Sequence, residues 1–420
     1  MQREDLVFAG YCDWAGLVRG KAFPVADTMA RLKRGIGLTH SNIMMSCFGP
    51  IMTTPFGTTG DLLIRPDPAA QVAVPFDDGT AERFYLGDLQ NTDGSPWECC
   101  PRGFLKRAIA ALAAFKLSLH ASFEQEFVYT GVEDRPGASY ALDAFRRQGA
   151  FGESLIGALS AAGLAPDSFL PEYGARQFEV TIAREPALRA ADRAVIAREL
   201  VRGVAFRLGH RAILAPMLEP GGIGNGTHIH MSLWEGETPV TYDAAEPYGV
   251  SAGAAPFFAG ILAHMPAIAA FSAPSVVSYD RLTPGRWAPV AANLAVQDRG
   301  AALRVSPIFA TAGESAAQQF NLEFRVADAA SCPYLALGAL IQAGVHGLTQ
   351  QLTLPAQDAA ADLLPRSLEE ALTALQRDEE AGRWWSETAM TAYLAFKRAE
   401  IGSLAEVSAS EICGRYAAVY

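Results

Sequence analysis

Three short alternating motifs carry the chemistry open to this chain: Glu124-x-Glu126, His228-x-His230 and Glu323-x-Arg325. Each is embedded in strand-like sequence, and in a β-strand residues i and i+2 point to one side of the sheet. Carboxylates aimed together repel unless a cation lies between them, so several such pairs on one sheet point to a divalent metal cluster. In PEYGARQFEV, Glu172 precedes a glycine-containing turn and Glu179 alternates with Gln177 and Thr181 along the following strand. In GGIGNGTHIHMSL a glycine-rich loop runs directly into the two histidines. Glycine lets a ligand approach the backbone closely, and neutral imidazole is a ready metal ligand. The loop matches neither G-x-G-x-x-G nor the lysine-bearing phosphate loop. Arg281, Arg299, Arg304 and Arg325 add planar forks suited to carboxylates and phosphates. Each motif taken singly also fits a blander role: a solvated strand face, core histidines or surface ion pairs.

These groups need a sizeable scaffold, and 420 residues with 50% hydrophobic and 19% charged content provide one, with room for two domains. The residues up to 95 are rich in Gly, Pro, Thr and β-branched runs and read as a small, mainly β domain. The turn-rich segment DGSPWECCPRG leads into residues 96–420, where strands alternate with helices. There HASFEQEFVYT predicts a strand, and Ile196, Leu200, Val204 and Leu208 predict the stripe of a helix. Ser367 with Glu370 predicts a capped helix over SLEEALTALQRDEE, and Ala356 to Leu364 reads as a loop. The interrupted apolar run Pro256–Pro274 reads as a buried core helix rather than a membrane span. A net charge of −11 argues against sequence-independent binding of nucleic acid or anionic membranes. The six cysteines lack C-x-x-C spacing and the start lacks a secretory pattern, so a reducing cytoplasm is the expected location.

The succession E-x-E, E…Q-x-E, G-x-G-x-H-x-H, R-L-x-P-G, R-x(4)-R and E-x-R resembles the glutamine synthetase superfamily. The likeness runs from DWAGLVRGK at Asp13 through IRPDPAA, LKRAI and ADAASCPYLAL to SLEEAL, which is nearly the whole chain. It implies an α+β fold: a small β-grasp-like N-terminal domain and a large catalytic domain with a curved antiparallel sheet flanked by helices. It also implies Glu126, Glu172 and Glu179 as ligands of one Mg²⁺ or Mn²⁺, and Glu124, His228 and Glu323 as ligands of a second. By the same resemblance Arg281 and Arg325, with Gly224, hold glutamate, and His230, Ser232, Arg299 and Arg304 face ATP. Arg299 and Arg325 would be the catalytic arginines. A homo-oligomer is implied too, a dodecamer of two hexameric rings.

The pattern breaks where ammonia-using members carry two further acids. The flap position after R-L-x-P-G is Trp287, and residues 36–60 contain no Asp or Glu. Residues Gln318, Gln319 and Asn321 replace basic residues common in the family before E-x-R. Losing both acids while keeping the metal ligands resembles the γ-glutamylamine ligases, which join glutamate to an organic primary amine. Trp287 then becomes an amine-contacting residue. An ammonia-using synthetase, a silent structural or regulatory member, and an enzyme of a different acid are the alternatives. The amine, its proton acceptor and the choice between Mg²⁺ and Mn²⁺ stay open.

Overall fold

The computed structural model describes residues 3–309, 313–357 and 359–420. Asp358, within the loop expected at Ala356 to Leu364, lies outside them. The N-terminal sheet has the strands Leu6–Cys12, Val18–Pro24, Ile36–Thr39, Asp61–Pro75 and Ala81–Asn91. Its central pair, Leu6–Cys12 beside Ala81–Asn91, is parallel and the remaining pairings are antiparallel, a β-grasp-like arrangement. The first hairpin closes over DWAGL, where Asp13 Oδ1 accepts the backbone N–H groups of Ala15 and Leu17, each at 2.9 Å.

An aromatic cluster and a buried ion network are among the contacts that seat this sheet on the larger body. Trp14, fully buried, meets Trp385, Tyr393 and Phe396 edge-on, so one aromatic cluster spans both ends of the chain. Arg102, at the start of the helix Pro101–Ala113, donates to Asp192 through two nitrogens at 2.9 Å each. The same guanidinium reaches Asp67 and Asp88 on the N-terminal sheet at 2.7 and 3.1 Å. Tyr334 completes the network by donating its hydroxyl to Asp192. A buried charge with this many partners is satisfied in place, and removing Asp192, which takes two of its bonds and is itself buried, would cost about 3 kcal/mol.

The larger body is mixed. Seven strands form one sheet and four another. The division falls inside the stretch expected to be one strand over HASFEQEFVYT. Ser118–Phe123 joins the larger sheet, Gln125–Tyr129 the smaller, and Glu124 sits at the break. The larger sheet is antiparallel except for the pair Leu294–Val296 and Leu303–Val305. The helix Ala187–Arg207 packs against the strand Ser118–Phe123, and Ile196, Leu200 and Val204 of the expected stripe are buried; Leu208 follows the helix as its C-cap and is exposed. The helix Pro333–Gln350 packs against Pro101–Ala113 and Ala255–Ala263.

The expected core helix at Pro256–Pro274 is two helices, Ala255–Ala263 and Met265–Ser272, bent by 76°. Pro266 stands at the start of the second, where its missing N–H costs nothing, and both are largely buried. Among the described residues no single helix is long and apolar enough to cross a membrane. The helix Leu368–Arg377 starts as expected, with Ser367 Oγ accepting the Glu370 N–H. All six cysteines are buried and unpaired.

Candidate active site

Register does most of the positioning. On the strand Ile229–Glu235, His230 lies opposite Ser122 on one side and Glu323 on the other, and Glu323 lies opposite Arg304. In the smaller sheet Glu126 lies directly opposite Glu179, a cross-strand pair of like charges that is unfavourable without a cation. Beyond the break, the Glu124 N–H donates to the His228 carbonyl and the Glu126 N–H to the Gly226 carbonyl. The acidic motif is thereby stitched to the glycine loop.

That loop needs its glycines. A Cβ at Gly224 would come within 2.7 Å of Arg281 Cγ, and one at Gly226 within 3.0 Å of His228 Nε2. Gln177 holds the loop by donating to the Gly224 carbonyl and to Asn225 Oδ1, each at 2.9 Å. The Gly226 N–H in turn donates to Glu126 Oε2 at 2.6 Å.

The resulting cavity encloses about 1200 Å³ and is lined by Glu124, Glu126, Glu172, Glu179, Glu323, His228, His230 and the four arginines of the sequence series. His228 Nδ1 lies 3.1 Å from Glu124 Oε2 and 3.5 Å from Glu323 Oε1. His230 Nε2 lies 2.9 Å from Glu124 Oε1, while its Nδ1 lies 2.7 Å from Asn321 Oδ1. Both ring nitrogens of His230 face acceptors, so the imidazolium is favoured. Burial opposes that charge, but Glu124 outweighs it and lifts the pKa to about 9. Glu124 is correspondingly held well below the usual carboxylate range: burial acts against its charge, and His230 and His228 prevail. Glu323, fully buried, receives Arg304 at 2.6 Å and Arg325; burial raises its pKa, but His228, His230 and Arg325 prevail and keep it low. Glu179 has no such partner, and burial followed by repulsion from Glu124 and Glu126 pushes it well above its ordinary value. Burial raises Glu172 as well, with Glu126 adding to it.

The expected site residues fall into three groups. Oxygen and nitrogen atoms of Glu124, His230 and Glu323 come within 4.8 Å of one another, as do those of Glu124, Glu179 and His228. Glu124 is shared between the two triads. Glu172 turns aside: its Oε1 accepts the Tyr140 hydroxyl and its Oε2 the Tyr173 N–H, each at 2.8 Å. Arg281 is buried with its guanidinium on the Val326 and Ala327 carbonyls at 2.5 and 2.9 Å, and burial lowers its pKa. Arg325 spans from Glu323 to the Arg299 and Trp287 carbonyls at 3.0 and 3.2 Å. Arg299 is exposed at the cavity wall.

Ser232 lies instead on an adjoining hollow of about 870 Å³ that shares Glu124, Glu179, His230 and Asn321 with the first. There His120 stacks on Trp234 at 4.5 Å, Arg184 covers the Trp234 ring at 5.3 Å, and Trp234 Nε1 donates to Ser232. Sequence reasoning missed this stack, although Trp234 continues the alternation His228, His230, Ser232. It also missed Asn321 as a partner of His230, and Tyr140 and Tyr173, which lie in turns where no periodicity marks them.

Carboxylates that repel until a cation arrives, beside arginines shaped for anions, define a metal-dependent enzyme of anionic substrates. The chain belongs to the glutamine synthetase family. The model of the glutamine synthetase N-terminal domain matches residues 1–97, and that of the catalytic domain residues 98–414. A gamma-glutamylpolyamine synthetase of Streptomyces coelicolor is 32% identical, the match covering 98% of this chain and 92% of the relative. Type-1 glutamine synthetase 1 of Dictyostelium discoideum is 30% identical over 96% and 88% of the two chains. A solved structure of a novel glutamine synthase homolog superposes with a TM-score of 0.95 at 38% identity, covering 100% and 99%. An ADP complex of GmaS gives 0.82 at 25% identity, covering 96% and 95%. Members of the family are ATP-dependent ligases that use divalent metals.

The residues present fit such ions. The two triads offer mostly carboxylate oxygens with imidazole, the donor set of Mg²⁺ or Mn²⁺ rather than of a thiolate-seeking metal. The charges around His230 favour its protonated form, and burial with carboxylate repulsion favours a proton on Glu179. A metal drawing on Glu124 and Glu179 must displace those protons, because only the deprotonated groups coordinate. Mn²⁺ affinity of the metal-free protein should therefore rise as pH climbs toward about 9, with protons released on binding. Calorimetry in buffers of different ionisation enthalpy reads both, and a pH-independent affinity without proton release would contradict the assignment.

Proposed function

We propose that this enzyme joins the γ-carboxylate of glutamate to an organic primary amine at the expense of ATP. In this reading the nucleotide lies along the adjoining hollow against Ser232 and the Trp234 stack, and its phosphates meet His230, Arg299 and Arg304. Glutamate sits by the Gly224 loop, its charge met by Arg325 and Arg281, and its γ-carboxylate attacks the terminal phosphate to give γ-glutamyl phosphate. The amine then displaces phosphate. The family resemblance assigns divalent ions to Glu126, Glu172 and Glu179 and to Glu124, His228 and Glu323; with Glu172 released from Tyr140 and Tyr173, ions held there would neutralise charge on the transferring group when bound. The chain's own contribution is placement and fixed positive charge, the main sources of rate in phosphoryl transfer.

The observation that carries the amine assignment is Trp287. It lines the cavity, remains 60% exposed, tilts against Tyr173 with ring centroids 5.3 Å apart, and lends its carbonyl to Arg325. A flap acid would trap ammonium there, whereas an indole offers an apolar face and a cation–π surface. Residues 36–60 bring no carboxylate to compensate. The polyamine in the name of the Streptomyces relative is one candidate class of substrate. With ATP, Mg²⁺ and glutamate, kcat/KM for some organic amine should exceed that for ammonia by at least about tenfold. Trp287→Ala should erode the preference. Ammonia emerging as the best nucleophile, or a variant with an unchanged ratio, would return the plain synthetase reading.

The family resemblance supports a dodecamer of two hexameric rings, and Met29 and Phe206, 78% and 81% exposed, offer apolar surface for contacts between subunits. Sedimentation of active enzyme should give a particle of ring size; full activity in a monomer would refute the assembly.

A further inference from the structure

Three aromatic side chains stand in a row on one wall of the cavity. Tyr140 meets Tyr173 edge-on with ring centroids 6.3 Å apart, and Tyr173 meets Trp287 at 5.3 Å. All three line the cavity, yet they are 57%, 53% and 60% exposed. Adjacent large aromatics left open to solvent mark a place where something apolar docks. Two of the three also hold costly backbone conformations, with φ of +54° at Tyr140 and +52° at Trp287. Bulky residues rarely occupy that region, and such strain gathers at ligand sites.

The row is tied to the reacting end of the site. Glu172 accepts the Tyr140 hydroxyl and the Tyr173 N–H, so both its oxygens serve the row, while Trp287 is joined to Arg325 through its carbonyl. A guest lying on the rings would point one end at the acid cluster. Among the described residues, none of the three rings carries a carboxylate beside it other than Glu172, whose oxygens are already engaged. Arg286, next to Trp287, gives its guanidinium to the Gly221 and Gly222 carbonyls. Of the remaining cavity-lining acids, Glu124, Glu126, Glu179 and Glu323 belong to the acid cluster, and Asp167 and Glu314 are shared with the adjoining hollow. A second ammonium group lying along the row would meet ring faces, and would reach Asp167 or Glu314 only by turning toward the adjoining hollow.

We infer that Tyr140, Tyr173 and Trp287 form the subsite for the non-reacting body of the amine, and that this body is wide and apolar. The preferred substrate is then a monoamine with an aryl or branched alkyl group rather than a polyamine. The inference rests on the amine-ligase reading and narrows it. Initial rates of the full-length enzyme with benzylamine, isobutylamine, methylamine, putrescine, spermidine and ammonia test it. Benzylamine or isobutylamine should surpass both polyamines in kcat/KM by at least about tenfold. Tyr173→Ala should reduce the benzylamine-to-methylamine ratio at least about fivefold, and Tyr173→Phe, which keeps the ring, should hold it within about twofold. Putrescine or spermidine in the lead would overturn the subsite and leave the ligase reading standing. Ammonia in the lead would overturn both, and a ratio unmoved by Tyr173→Ala would remove the row from substrate recognition.

Discussion

Five carboxylates, Glu124, Glu126, Glu172, Glu179 and Glu323, face one cavity, and their mutual repulsion is the constraint on which the rest of the site depends. Without a metal the chain meets it with its own cations and protons. Arg304 and Arg325 close on Glu323, His230 takes a proton between Glu124 and Asn321, and Glu179 is pushed toward its neutral form. Each of these arrangements is a temporary occupant of a position that a divalent ion and a bound phosphate would contest. The arginines that restrain Glu323 in this state are the groups best shaped to accept anions once a metal relieves it.

The fold tolerates such a cluster because the groups are fixed by hydrogen-bond register rather than by flexible loops. His230, Glu323 and Arg304 occupy one cross-strand row, and Glu126 and Glu179 another. Slipping any of these strands by one residue would turn its functional side chain to the opposite face. Beneath them, the helix Ala187–Arg207 supplies buried apolar support, and at its N-terminal half Asp192 anchors Arg102, which ties the N-terminal sheet to the same body. A site with little freedom to relax can hold unfavourable charge until ligands arrive.

Strand periodicity made the polar half of the site legible in the sequence. E-x-E, H-x-H and E-x-R each place two groups on one face whatever the tertiary context, and the cavity gathers them all. Propensity did not reveal the break at Glu124, because Phe123 and Gln125 continue an acceptable strand pattern while pairing into different sheets. The interruption at His264 and Pro266 was visible in the apolar run, but not that it divides the run into two helices. Nor could spacing reveal that Arg281 faces backbone carbonyls, or that Glu172 turns to Tyr140, since both depend on chain segments distant in sequence. The aromatic row is the extreme case. Tyr140 and Tyr173 sit in turns, and only the folded chain sets them beside Trp287.

In the proposed reaction the acidic, arginine-rich half of the cavity activates glutamate as an acyl phosphate and the aromatic half delivers the amine. Following oxygen tests this most directly. With glutamate labelled by ¹⁸O in its γ-carboxylate, ATP, Mg²⁺ and an organic amine, ³¹P NMR of the products should find one labelled oxygen in the inorganic phosphate formed for each γ-glutamylamide. Label appearing in AMP, or amide formation with unlabelled phosphate, would contradict this reaction.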